Sequence, residues 1–229
     1  MRVLVVQHED ECPPARLGTS LVDAGAELDV RRPYAGQELP ADLAGHDALV
    51  VLGGGMGAGD DALHAWLTPT KQLLRAAARD AVPTLGICLG HQLIAVALGG
   101  TVGRNPRGRQ VGVHHVGWTE AAAADPLLGG FASTGRVVQW NQDLVLDPPP
   151  GAVLLAATDL GEVQAMRFAP TVWGVQWHPE ATPEIVRGWA AKEPGPRADD
   201  GVAAVQAADT ELELSWRDLG KALVATVTP

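Results

Sequence analysis

The feature that most constrains the fold is a series of four short apolar runs, at residues 2–7, 27–31, 47–52 and 82–87. Two stretches with apolar residues at helical spacing lie between them, at residues 16–24 and 65–81. Pro69 is expected near the start or at a kink of the second helix. Strands covered by helices on both faces are apolar almost throughout. The pattern therefore predicts an α/β fold with a doubly wound, mostly parallel sheet and helices on both faces.

The second half has a different texture, because its strand candidates follow one another without helices between them. They lie at residues 111–118, 137–140, 153–157, 163–168 and 172–177, and turns containing Pro or Gly join them. We expect antiparallel strands added to the sheet. A helix follows at residues 182–191, with Thr182 as its N-cap and Pro183 in its first position. Residues 1–192 are predicted to form one domain, and residues 193–229 a polar connector (193–201) and one C-terminal helix (202–227) packed on it.

Charge and hydropathy exclude several classes of protein. The formal net charge of −10 argues against binding to nucleic acid or to anionic lipid. No apolar stretch approaches the length needed to cross a membrane, and the run at residues 3–6 is too short for a signal sequence. The expectation is a cytoplasmic protein with no membrane partner.

Only two cysteines occur, Cys12 and Cys88, too few for a disulfide framework or a thiolate metal site. Five other histidines show no spacing that would close a metal site with acidic neighbours: His8, His46, His64, His114 and His115. No metal and no cofactor are expected. A single reactive cysteine remains possible.

The strongest local motif is PTLGICLGHQ at residues 83–92, where a strand ends at Cys88 and turns directly into an apolar helix. Gly86 and Gly90 lie two residues to either side and permit a sharp strand-to-helix turn. Such an elbow projects the thiol, and the helix N-terminus favours its ionised form. The N–H of Leu89 would supply half of an oxyanion hole. An isolated cysteine is more often a small core residue, but the paired glycines favour a nucleophile.

A base for this nucleophile is offered by His178, at the end of the segment GVQWHPE. In an extended segment residues i and i+2 face the same side, so Glu180 can approach the His178 imidazole. The carboxylate would orient the ring and stabilise its protonated form. Alone, a His-Pro-Glu tripeptide is more often a solvated strand end; beside the elbow it indicates a catalytic pair.

A glycine-rich turn, VVLGGGMG, covers residues 50–57 after the third predicted strand. Consecutive glycines allow a backbone amide to approach a ligand closely, which suits the second half of an oxyanion hole. A phosphate cradle is the competing interpretation. The turn lacks the Lys-Ser/Thr of a P-loop, and the first β-α turn has no GxGxxG, so nucleotide binding is disfavoured.

In this order and spacing, the glycine turn, the GICLGHQ elbow and the GVQWHPE segment resemble class I, triad-type glutamine amidotransferases. Within that class the chain looks most like stand-alone proteins related to the glutaminase domain of GMP synthase. The resemblance spans residues 3–189 and implies a flavodoxin-like fold. It implies Cys88 as nucleophile, His178 as general base and acid, and Glu180 as its orienting partner. It further implies that Gly54 and Leu89 supply the oxyanion-hole amides.

The resemblance also implies two substrate-binding residues and exposes one departure. Gln92 matches a family glutamine that contacts the substrate, although it could instead cap or pack beside the elbow helix. Residues 139–143 read QWNQD where these relatives usually carry Trp-His-Gly-Asp. Asp143 matches the family, whereas Asn141 replaces a histidine and Gln142 replaces a glycine. In the family this loop lies against the amino-acid end of glutamine, near the route to the ammonia acceptor. Substrate preference and acceptor coupling are therefore open.

The implied reaction is hydrolysis of the L-glutamine side-chain amide through a Cys88 thioester. No synthetase domain or P-loop is visible, so a separate synthetase or acceptor protein is expected to receive the ammonia. A γ-glutamyl hydrolase or peptidase using the same triad is an alternative. A non-catalytic regulatory or scaffold homologue is another, disfavoured by the complete triad. Three arginines could meet an anionic acceptor or form a solvated turn: Arg104, Arg107 and Arg109.

Overall fold

Twelve strands and seven α-helices make up the computed structural model, which describes residues 1–227. The strands are β1 (Arg2–Val6), β2 (Glu27–Arg31), β3 (Ala48–Val51), β4 (Thr84–Ile87), β5 (Thr101–Arg104), β6 (Gln110–His115), β7 (Gly117–Trp118), β8 (Arg136–Asn141), β9 (Asp143–Asp147), β10 (Val153–Ala157), β11 (Val163–Ala169) and β12 (Val172–Val175). The helices are α1 (Ala15–Asp23), α2 (Leu67–Arg79), α3 (Leu89–Ala97), α4 (Pro183–Lys192), α5 (Pro196–Ala207), α6 (Asp209–Trp216) and α7 (Leu219–Val227).

Eight of these strands form the central sheet, in the order β2-β1-β3-β4-β12-β11-β10-β7. The first five run parallel to one another, and β11, β10 and β7 continue the sheet in antiparallel fashion. The predicted fold class is thereby confirmed. β12 is the last strand of the parallel part and lies beside β4 at the centre of the sheet. The strand before Cys88 and the strand before His178 are therefore neighbours.

Alternate residues of each central strand pack against helices on opposite faces, as the near-continuous apolar runs predicted. On β1, Val3 and Val5 belong to the core layer that contains Leu21 of α1 and Leu223 of α7. Leu4 and Val6 belong to the opposite layer, which contains side chains of α2 and α3. Both faces of the sheet are therefore buried against helices, so functional groups can reach solvent only at the ends of the strands.

Four strands of the second half lie outside the central sheet, in two antiparallel ribbons. β6 pairs with β8, and β5 pairs with β9. The single strand predicted at residues 111–118 is therefore divided into β6 and β7, which pair with different partners. β5 and β9 were not predicted, because their short, partly exposed sequences carry too few buried side chains to show a clear period of two.

The C-terminal segment forms three helices, so the prediction of one helix over residues 202–227 was wrong. α5 begins inside the predicted connector and packs Gly201 against Val111 and Gly112 of β6. α7 packs Gly220 against the backbone of α1, where an added Cβ would lie 2.6 Å from Leu21 N. The two contacts fix the two helices in different parts of the molecule, and α6 connects them. Residues 228–229 of the predicted segment lie outside the described residues.

The start of α4 agrees with its predicted cap. Thr182 is extended, its Oγ1 accepts a hydrogen bond from Ile185 N at 3.3 Å, and Pro183 occupies the first helical position. This cap fixes where the helix leaves the loop after β12. Among the helices of residues 1–227, none is both long and apolar enough to cross a membrane.

Candidate active site

Cys88 lies in a sharp turn between β4 and α3, with φ 49° and ψ −101°. A positive φ is unusual for a residue with a side chain and stores strain. Two glycines make the turn possible: an added Cβ would lie 2.0 Å from Val51 O at Gly90 and 2.6 Å from Gly90 O at Gly86. The Cys88 N–H donates to Val175 O at 2.8 Å. The elbow predicted from the sequence is thus present, held between β3 and β12.

His178 and Glu180 meet through a turn rather than through an extended segment. β12 ends at Val175, two residues earlier than predicted, and Ala181 N–H donates to His178 O at 3.3 Å. The His178 N–H donates to Val138 O at 2.9 Å, which ties the turn to β8. His178 Nδ1 lies 2.7 Å from Glu180 Oε1. The expected side-chain pair forms, although the expected backbone geometry was wrong.

The charge of Glu180 controls the protonation of His178. Burial by itself lowers the pKa of His178, but the Glu180 carboxylate and the nearby Cys88 sulfur outweigh it and raise that pKa to about 10. The imidazole is therefore protonated at neutral pH. Its Nε2 atom makes no hydrogen bond with any residue in the described part of the chain. The Trp189 ring packs against the imidazole at a tilt of 52°, with the ring centroids 4.5 Å apart.

The glycine-rich turn after β3 reaches the elbow. A Cβ added at Gly53 would lie 3.0 Å from His178 Cε1 and 3.7 Å from Cys88 Cβ, and one added at Gly54 would lie 3.0 Å from Leu89 Cδ2. Leu89 is the first residue of α3, so its N–H has no acceptor within the helix. The structure therefore places the two predicted oxyanion-hole residues next to each other and beside Cys88.

Gln92 and Asp143, the two predicted substrate-binding residues outside the oxyanion hole, lie together. Gln92 Nε2 donates to Asp143 O at 2.9 Å. Asn141 Nδ2 donates to Asp143 O and to Gln110 Oε1, both at 3.3 Å. The Oδ1 atoms of Asn141 and Asp143 are buried and accept no hydrogen bond within residues 1–227. The Asn141 amide therefore carries an acceptor oxygen that no described residue uses.

One cavity of about 760 Å³, within the size range of small-molecule sites, is lined by Gly54, Cys88, Gln92, Asn141, Asp143 and His178. We call its buried part the floor, formed by Cys88, Gln92 and His178. We call the residues around this floor the rim, and except for Asn141, which is buried, they are half-buried or exposed: Glu9, Arg104, Arg109, Trp140, Asn141, Gln142, Asp143, Lys192 and Glu193. In residues 1–227 no three His, Cys, Asp or Glu side chains are grouped so as to hold a metal ion.

Ion pairs connect the elements that form the rim. Lys192 Nζ, at the end of α4, lies 3.2 Å from Glu9 Oε2 and 2.9 Å from Glu11 Oε2, in the loop between β1 and α1. Arg109 pairs with Glu193. The rim therefore carries charges of both signs, and its shape depends on long, partly exposed side chains.

The three arginines of the predicted basic loop have separate partners. Arg104 Nε lies 3.4 Å from Asp143 Oδ1, and the Arg109 guanidinium lies 5.5 Å from the centre of the Trp140 ring. Arg107 lies away from the cavity lining, 3.7 Å from Glu162. Two of the three thus reach the cavity.

Cys12 also lines this cavity, which the sequence did not reveal. It is buried, and its Sγ donates to Glu9 Oε1 at 3.2 Å. Burial first, and then the negative charge of Glu9, raise the pKa of the Cys12 thiol far above its ordinary value. Only the acidic sequence neighbours of Cys12 were visible beforehand. Two further contacts were missed, those of Trp189 with His178 and of Gln176 with Cys88; the GVQWHPE motif contains Gln176 but gave no sign of its contact.

Comparison with known proteins gives concordant results. The family model described as glutamine amidotransferase class-I matches residues 16–187. The glutamine-hydrolyzing GMP synthase of Aeropyrum pernix is 41% identical over 122 residues, which is 50% of this chain and 23% of that enzyme. The glutamine amidotransferase-like protein YfeJ of Salmonella typhimurium is 33% identical over 196 residues, 82% of this chain and 79% of the relative.

The fold has a clear counterpart among solved structures. A glutamine amidotransferase from Thermotoga maritima superposes with a TM-score of 0.84 over 98% of both chains. The two sequences are 23% identical, so this similarity concerns the fold. The central sheet and its helices thus follow an arrangement seen in an experimentally determined protein.

Proposed function

The chain belongs to the class I glutamine amidotransferase family, and we propose that it hydrolyses the side-chain amide of L-glutamine to glutamate and ammonia. One observation carries the proposal: a cysteine in a strained elbow and a histidine bound to a buried carboxylate share the floor of one cavity. A nucleophile, a base and an orienting acid in this relation are the parts that acyl transfer requires.

In the first half-reaction the Cys88 thiolate attacks the carboxamide carbon of glutamine. The carbonyl electrons move to oxygen, and the backbone N–H groups of Gly54 and Leu89 bind the resulting oxyanion. His178, protonated at neutral pH through its contact with Glu180, gives its Nε2 proton to the departing nitrogen. The C–N bond breaks, ammonia leaves and a γ-glutamyl thioester remains on Cys88.

The second half-reaction returns the enzyme to its starting state. His178 is now neutral, and its Nε2 accepts a proton from a water molecule that attacks the thioester carbon. The same two backbone amides bind the second oxyanion. Its collapse breaks the C–S bond, releases glutamate and restores the Cys88 thiolate beside protonated His178.

The amino-acid end of glutamine is proposed to lie against the rim. The Asp143 carboxylate and the Asn141 amide oxygen suit the α-ammonium group, because both residues line the cavity and carry acceptor oxygens. Arg104, which lies beside Asp143, suits the α-carboxylate. Gln92 holds the backbone of Asp143 in place from below.

We also propose that the ammonia passes to a separate synthetase or acceptor protein. The chain aligns with only 23% of the Aeropyrum GMP synthase, so most of that relative's length lies outside the alignment. Ammonia release should then increase when the partner is present.

A γ-glutamyl hydrolase or peptidase is the second candidate, favoured by one observation. The cavity of about 760 Å³ is large for glutamine alone. Asn141 and Gln142, which differ from the residues usual in the family, are both on its rim. Such an enzyme would use the same thioester and release a larger amine. Comparing kcat/KM for glutamine with that for γ-glutamyl dipeptides separates the two reactions.

The deciding experiment measures glutamate formation by the purified chain, with and without the products of neighbouring genes. The Cys88→Ala variant is the matched control for contaminating activity. Glutamate formed from glutamine by the wild type alone supports the proposal. No glutamate from glutamine or from γ-glutamyl dipeptides, under any of these conditions, would leave a non-catalytic regulatory role.

A further inference from the structure

A line of hydrogen bonds runs beneath the cavity from Asp143 to the nucleophilic sulfur. Gln92 Nε2 donates to Asp143 O at 2.9 Å and to Gln176 Oε1 at 3.2 Å. Gln176 Nε2 then donates to Cys88 Sγ at 3.5 Å. Gln176 is completely buried, so water does not compete for its amide.

The direction of these bonds is fixed by the first acceptor. A backbone carbonyl can only accept, so the bond to Asp143 O requires Gln92 to present its NH₂ group there. The same NH₂ group reaches Gln176, which must therefore present Oε1 to Gln92. Its own NH₂ group is left to point at the sulfur. Only this orientation of the Gln176 amide lets Oε1 accept from Gln92 while Nε2 donates to Cys88 Sγ.

The backbone holds Gln176 beside Cys88 from both sides. β12 and β4 are parallel partners, with Val175 opposite Ile87, and Cys88 N–H donates to Val175 O at 2.8 Å. The Gln176 N–H donates to Gln164 O at 2.7 Å. The side chain thus reaches the sulfur from the centre of the sheet, where its position cannot drift.

We propose that Gln176 is a further catalytic residue, whose side-chain N–H stabilises the Cys88 sulfur whenever that sulfur is negatively charged. This inference rests on the proposed function for its role in turnover. The sulfur is negative before it attacks and again when the thioester breaks, and it is neutral in between. A hydrogen bond to a charged acceptor is stronger than one to a neutral acceptor. Gln176 therefore favours the thiolate form that attacks, and it assists the departure of the sulfur when the thioester breaks.

The test is the rate at which iodoacetamide alkylates Cys88, measured by peptide mass spectrometry on the full chain at two pH values. Gln176→Met removes the donor and keeps the side-chain length. At about pH 6 we expect alkylation about tenfold slower than in the wild type, because less of the sulfur is ionised. At about pH 10 the two rates should converge. The kcat for glutamine should fall about tenfold with little change in KM.

Gln164→Met is the matched control, because Gln164 is as deeply buried but bonds to Gln139 and not to Cys88. It should alkylate like the wild type. Equal rates for Gln176→Met and wild type at both pH values, equal slowing at both, or the same effect in Gln164→Met would overturn the proposal. If Gln176→Met does not fold, Gln176→Glu serves instead and should slow the reaction near pH 6 further, since it places a carboxylate against the sulfur.

The two proposals fail in different ways. A wild type without glutaminase activity, combined with pH-dependent slowing in Gln176→Met, contradicts the proposed function and leaves the contact between Gln176 and the sulfur intact. A wild type that turns over glutamine, combined with an unaffected Gln176→Met, contradicts only the role of Gln176.

Discussion

The floor of the cavity and the loop that carries the rim residue Glu9 each contribute a cysteine, and the two cysteines differ in their surroundings. Cys88 belongs to the floor, in a strained turn beside the protonated His178. Cys12 reaches the cavity from the loop that carries the rim residue Glu9, and it donates its proton to that carboxylate. Both thiols are buried. Burial therefore does not distinguish them, and the neighbouring charge does: a cation faces one sulfur and an anion faces the other.

The two parts of the cavity also differ in how they are held. The floor is fixed by backbone hydrogen bonds between adjacent strands, such as that from Cys88 to Val175. The rim is fixed by side-chain ion pairs, such as that between Lys192 and Glu9. Partly exposed ion pairs contribute little to stability. We therefore expect changes in the floor to remove activity and changes in the rim to adjust it.

The largest effect is expected from exchanging the two cysteines in turn. Cys88→Ala should lower glutamate formation by at least about a thousandfold, because no other group in the floor can form the thioester. Cys12→Ala should change it by less than about twofold, since Cys12 has no assigned step. Circular dichroism of both variants checks that the fold is retained. Substantial activity in Cys88→Ala would remove the nucleophile assignment.

Labelling by a glutamine analogue with a diazo-ketone group should separate the thiols next. Cys88 should be modified at least about a hundredfold faster than Cys12, because the raised pKa of Cys12 keeps it a neutral thiol. Peptide mass spectrometry after timed exposure measures both rates. Free glutamine should protect Cys88, and His178→Ala should slow its labelling. Equal modification of the two cysteines would contradict the comparison.

Glu180→Gln should be milder than loss of the nucleophile, with a fall in kcat of about a hundredfold. The Glu180 carboxylate helps to raise the pKa of His178 to about 10, so its removal should move the alkaline limb of the kcat/KM profile to lower pH. A raised pKa stabilises the fold fully below the unfolded value near 6.5, and this contribution is lost as the pH rises through the folded value. In Glu180→Gln that loss should come at lower pH. An unchanged pH profile would exclude Glu180 from the triad.

Changes in the rim should have the smallest kinetic effect. Replacing Asn141 by His and Gln142 by Gly restores the residues usual in the family. We expect a few-fold change in KM for glutamine or in stimulation by a partner, with less change in the rate of Cys88 acylation. Steady-state kinetics, together with the burst of thioester formation, measure the three quantities. If all three are unaltered, this loop has only a structural role.

The sequence predicted more of the floor than of the rim. The elbow was predictable because Gly86, Cys88 and Gly90 lie within five positions and their chemistry is local. The partnership of His178 with Glu180 was predictable for the same reason, although the turn that produces it was not. The resemblance to a family then connected segments that are far apart in the chain.

Apart from residues 141–143, which the resemblance placed near the substrate, the rim could not be predicted, because it is assembled from distant segments whose contacts are made by side chains. Nothing near Cys12 in the sequence shows that Lys192 binds its neighbour Glu9 across the cavity. Likewise, no local signal divides the C-terminal segment into three helices, since the breaks follow from where Gly201 and Gly220 find close contacts. Tertiary packing decides both, and a single sequence records it only indirectly.

The positive φ of Cys88 sets folding stability against catalysis at one residue. Glycine adopts this conformation without the steric cost that any side chain incurs, about 1–3 kcal/mol. Cys88→Gly and Cys88→Ala both lack the sulfur, so both should be inactive, yet Cys88→Gly should have the higher melting temperature. At this position of the proposed nucleophile, selection for stability alone would favour glycine over cysteine. We expect Cys88→Gly to be a stable, inactive variant that binds glutamine without hydrolysing it.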